Sequence, residues 1–134
     1  MTKAILNESE LTQKNITQLL SQLSITEQNT YYEREEIISK FPPNDEEFSL
    51  IEELELLTVN FRGYAHQIQE TGQVANKNQV IEQLKSMQVL NIPQIARFFF
   101  DNNGKYEQMK SYIRMLDYLR LLMLEYLQFQ NKSN

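Results

Sequence analysis

The stretch Asn44–Gly72, NDEEFSLIEELELLTVNFRGYAHQIQETG, decides the fold class. Phe48, Ile51, Leu54, Leu57, Phe61, Tyr64 and Ile68 follow one another at steps of three and four. That spacing stacks side chains on one face of an α-helix, whereas a strand would need strict alternation. Upstream, Phe41-Pro42-Pro43 stops any preceding helix. Proline biases the residue before it out of the α region and has no N–H to donate. Asn44 then reads as an N-cap, with Glu47 completing a capping box. Asp45, Glu46 and Glu47 suit the positive end of the helix dipole. Thr71-Gly72 supplies the C-terminal stop, so a helix is expected over about 44–70.

Working towards the N-terminus, Ile16, Leu19, Leu20 and Leu23 fall on one face at about 100° per residue. Tyr31, Ile37, Ile38 and Phe41 continue that face in phase. Preserved phase predicts one helix over 9–41, about 50 Å long. Ser24-x-x-Glu27 has the form of a capping box and would instead break it near Ser24. Between the two clusters, Glu27, Thr30 and Arg34 occupy the apolar face. The expectation is that this part of the helix overhangs its neighbours and meets water. The functional alternative is a polar patch, a pocket or an interface, with Glu27 and Arg34 presenting opposite charges. Burial would then require partners, because an uncompensated buried charge is costly.

Towards the C-terminus, Val80, Ile81, Leu84 and Met87 predict a helix over about 78–90. Pro93 suits the first turn of a new short helix over about 93–101, where its missing N–H costs nothing. There Ile92, Ile95, Phe98 and Phe99 share one face, and Phe100 sits at the edge of the polar one. Neither flank of Asn103-Gly104 alternates, so a turn between helices is expected rather than a hairpin. The last helix, about 105–130, carries Met109, Ile113, Leu116, Leu119, Met123, Tyr126 and Leu127 on a broad apolar surface. Asp117, Arg120, Glu125 and Gln128 form a polar arc that Leu121 and Leu124 interrupt. A helix this apolar is either enclosed by its own chain or meets another. Together these segments predict an all-α fold. It is an antiparallel bundle of three long helices with one or two shorter ones, forming a single domain over 1–134.

The 134 residues can bury a sizeable core, and three Gly and three Pro leave few turns. Without cysteine there is no disulfide framework, no thiolate metal site and no thiol nucleophile. That composition, with no signal-peptide pattern at the N-terminus and no uninterrupted apolar span, leads to an expectation of a cytoplasmic protein that does not enter a membrane. A net charge of −5 argues against nucleic acid as a partner. Residues 1–67 hold 12 acidic and 5 basic side chains, and residues 68–134 hold 6 and 8. Two such halves attract each other, or leave an acidic face that docks on a basic partner.

Catalytic signals are sparse. His66 is the sole histidine, one turn after Arg62. Helical-bundle nucleases of the HEPN class also place an Arg and a His on one helix. Here three residues intervene and Gly63 follows the arginine, which departs from that pattern, and no family is assigned. No Glu-x-x-His pair for a di-iron site exists, nor a Gly-rich phosphate loop. The expected role is a small non-catalytic protein–protein interaction or adaptor protein, with self-association as one form of that role, without cofactor or metal. Partner contact is assigned to Phe100, Leu121, Leu124 and Tyr126, and a polar patch to Glu27, Thr30 and Arg34. The alternatives are an acidic inhibitor, of the phage or mobile-element type, that docks on a basic surface, and a His66-dependent nuclease.

Overall fold

The computed structural model describes residues 8–86 and 104–133. Among the described residues the chain is all-helical, with no strand. The helices are α1 (Glu8–Asn29), α2 (Tyr31–Lys40), α3 (Glu46–Thr71), α4 (Lys77–Ser86) and α5 (Glu107–Ser133). The helix expected over 93–101 lies outside the described residues, as do the last residues of the one expected over 78–90. Among the described residues no helix is long and apolar enough to cross a membrane.

The single helix expected over 9–41 is two helices, interrupted at Thr30 and not at Ser24. The cause is local. The Thr30 N–H donates to both Thr26 and Glu27 carbonyls at 3.1 Å, and its hydroxyl donates back to Glu27 O at 2.6 Å. This back-bonding tightens the turn and interrupts the helix there. The Arg34 N–H still donates to Thr30 O at 2.9 Å, so the two helices share a backbone ladder. The inward face is carried across Thr30 in part: Ile37 is buried and Phe41 packs against the core, while Tyr31 and Ile38, at the edge of the expected face, are exposed.

At the start of α3, the Ser49 N–H donates to Asp45 O at 3.0 Å and the Asp45 N–H to Pro42 O at 2.9 Å. The helix therefore begins one residue later than an Asn44 cap requires, because the Pro42 carbonyl closes a turn first. At its end, Gly72 takes φ +75°, a conformation that L side chains rarely adopt, and its N–H donates to Ile68 O at 2.9 Å.

The core joins Ile16 and Leu23 of α1, Leu54, Leu57 and Phe61 of α3, Leu84 of α4, and Leu116 and Met123 of α5. Fully burying one such side chain contributes about 1.5–3 kcal/mol. α5 packs against each of the other four helices. That is why so much of its circumference is apolar: Met109, Tyr112, Ile113, Leu116, Leu119, Leu122, Met123, Tyr126 and Leu127 are all buried. Arg120, expected in the polar arc, is buried too. Its guanidinium donates to Leu84 O at 2.7 Å and to Asp117 Oδ1 at 3.0 Å, so α4 covers it and supplies its acceptor. The start of α5 is capped from a distance. The Glu33 carboxylate of α2 accepts the Gln108 N–H at 3.0 Å and the Met109 N–H at 2.8 Å. A carboxylate there satisfies two orphan donors and complements the helix dipole.

Candidate functional site

Two places on this scaffold collect the residues singled out by sequence. The first is a polar cluster where the Thr30 interruption meets α3 and α5. Thr30 is buried, and Glu27 and Arg34 are largely covered, so this gap in the apolar face does not overhang into water as expected. Arg34 lies over the Tyr112 ring, 5.3 Å from its centroid. Glu27 is the hub. Its carboxylate lies 3.1 Å from Arg62 Nη2 and 3.8 Å from Arg34 Nη2, and accepts the Tyr112 hydroxyl at 3.1 Å. Arg62 also donates to Ser24 Oγ at 3.3 Å, and Arg34 Nη1 lies 3.9 Å from Glu55. Thr58 bridges the cluster to the core, its one hydroxyl proton within reach of both the Tyr112 oxygen and Leu54 O.

Sequence spacing brought out Glu27, Thr30 and Arg34 but not Arg62, Thr58 or Tyr112. These come from α3 and α5, and their meeting depends on helix pairing. The cluster is under-satisfied as well as buried. Arg34 Nε and Nη2 and Arg62 Nε make no hydrogen bond among the described residues. Such donors cost free energy, which the charge of Glu27 offsets.

Tyr112 feels this setting. Burial pushes its phenol above the ordinary value; the Thr58 hydrogen bond opposes that, the negative Glu27 adds to it, and Arg34 and Arg62 oppose it. In the unfolded chain the phenol loses its proton near pH 10, before the folded one does. The unfolded state then binds fewer protons, so stability falls as pH rises above about 10 and is unaffected by this group below it. Ultraviolet titration of phenolate absorbance is expected to show a late phenol that is absent in Tyr112→Phe. A Tyr112→Phe variant that titrates like the wild type contradicts this.

The second place is a groove on α5 with a volume of about 590 Å³. Thr12, Tyr118, Leu121, Leu122, Leu124, Glu125, Gln128 and Phe129 line it. Leu121 is 46% exposed and Tyr118 53%. The structure thus brings Leu121 and Leu124 together, as partner contact requires. Tyr126 does not join them. It is 3% exposed and its hydroxyl donates to Gly72 O at 2.8 Å, so it is a core residue that ties α5 to the end of α3. Its place on the wheel among apolar residues carried that information; assigning it to contact was the error. Phe100 lies outside the described residues. Tyr118 and Phe129 were missed, although both stand three residues from Leu121 or beyond on the same helix and their spacing was readable.

His66 is exposed and its Nδ1 lies 3.1 Å from Gln69 Oε1, while Arg62 is turned towards Glu27 and Ser24. Among the described residues no group of three or more His, Asp or Glu side chains could hold a metal ion. No protein family matches the chain, and neither a curated protein nor a solved structure matches it.

Proposed function

We propose that this chain is a small non-catalytic interaction or adaptor protein that self-associates through the α5 groove. The observation that carries the reading is Leu121 and Leu124 lying together in a groove of about 590 Å³. Apolar side chains left open in such a groove favour burial against another surface. Charge points to a second copy as the occupant. With a net charge of −5, two copies carry a net mutual repulsion, greatest between their acidic N-terminal halves. Among the described residues Glu125 is the one charged side chain lining this groove, and Thr12 donates to it at 3.4 Å. Two copies therefore meet here with least repulsion.

The scaffold behind this reading is an antiparallel bundle forming one domain. Ascending α1 and α2, Thr12, Thr26 and Glu33 pair with Glu125, Met115 and Met109, in descending order along α5. Against α3, Gln13, Ser24 and Arg34 pair with Ile68, Arg62 and Glu55, again opposed. Thr58 with Tyr112 and Gly72 with Tyr126 give α3 and α5 a common direction. Light scattering over a range of concentrations, on the wild type and Leu121→Asp, tests the reading.

A further inference from the structure

We infer that the outward face of α3 is a second docking surface, fitted to a basic amphipathic helix of another protein. Glu52, Leu56, Val59, Gly63 and Glu70 recur at steps of three, four and seven and share one face. All five are exposed. Leu56 and Val59, one turn apart, are 61% and 68% exposed and form an apolar pair on the outward side of a helix whose other face fills the core. A Cβ placed on Gly63 would meet nothing within 4 Å, so the backbone beside Val59 lies open to an approaching side chain.

Carboxylates frame this apolar centre. Glu52, Glu53 and Glu55 crowd one end and Glu70 stands at the other, all exposed. The basic residues of α3 are Arg62 and His66. Arg62 is directed to Glu27 and Ser24, leaving His66, between Gly63 and Glu70 on this face, as its one basic-type side chain among the described residues. Such a surface repels nucleic acid and anionic lipid, and it repels a second copy of itself. It complements a helix with apolar anchors one turn apart and Lys or Arg on both flanks. This surface differs in chemistry from the α5 groove and stands or falls separately. Where self-association through α5 also holds, the two faces together give an adaptor its two contacts.

The test is calorimetric titration of the full chain with three synthetic peptides. The first is helical, with leucines at i, i+3, i+4 and i+7 and lysines along both flanks. The second is its scrambled isomer, and the third replaces each lysine with glutamate. The lysine peptide is expected to bind, and to bind more weakly as salt screens the carboxylates. Leu56→Lys and Val59→Lys are each expected to weaken it at least about tenfold, the range of an interface anchor. Glu52→Lys with Glu53→Lys reads the same face without altering an apolar residue, and must also weaken binding. Leu121→Asp must leave it unchanged. Equal binding of the scrambled or glutamate peptide, or full affinity in the α3 variants, overturns the inference.

Discussion

Phe61→Ala is expected to lower the stability of the protein by about 3–5 kcal/mol, as large truncations in a closed core do. Phe61 is fully buried on α3. Its removal loses the transfer free energy of a ring and leaves a cavity that α3 cannot collapse around, because the helix is held on several sides. Val59 and Leu56, on the opposite face, are mostly exposed. Leu56→Ala is therefore expected to change stability by no more than about 0.5 kcal/mol. Urea denaturation followed by circular dichroism measures both, with midpoints interpreted at unchanged slope. Equal losses in the two variants would mean that α3 does not present the faces described.

The second large effect is at Glu27. Its carboxylate holds Arg62 at 3.1 Å and the Tyr112 hydroxyl at 3.1 Å, with Arg34 at 3.8 Å. Glu27→Ala leaves two covered guanidinium groups without their common counter-charge. Truncating one partner of a fully buried pair costs about 3–5 kcal/mol, and a surface pair is worth about 0–1. The Glu27 side chain is 31% exposed and Arg62 27%, which places the expected cost between these, at about 2 kcal/mol. A double-mutant cycle with Arg62→Ala separates the pair from its surroundings and is expected to show coupling of about 1 kcal/mol. Additive losses would show that the two side chains act independently.

The fold class was legible because helical periodicity is a local property. Four apolar positions at the right spacing define a face whatever packs on it, and the α3 stretch showed this over seven. The Thr30 interruption was less legible. The backbone ladder nearly survives it, so the sequence around it stays helical on both sides. Whether Glu27 and Arg34 are covered depends on the helices they meet, which the local sequence does not name. Arg120 illustrates the same limit: its burial depends on the Leu84 carbonyl, contributed from another helix. The polar patch was visible as three residues out of place on an apolar face. Its partners Arg62, Thr58 and Tyr112 fit the ordinary patterns of their own helices, so nothing local marked them.

Leu121 and Leu124 were legible as interruptions of a polar arc, and Tyr126 was misassigned because a wheel does not say which neighbour covers each sector. The exposed Leu56 and Val59 were concealed by the run of glutamates around them, which reads as an ordinary solvated face.

Self-association through α5 is tested most directly by the mass in solution. The chain weighs 16.0 kDa. Light scattering of the wild type is expected to show a mass rising with concentration towards twice that value. Leu121→Asp, at an exposed position, is expected to keep its helical content and remain at the single-chain mass throughout. A wild type that stays at the single-chain mass at every concentration, indistinguishable from Leu121→Asp, would contradict the proposal.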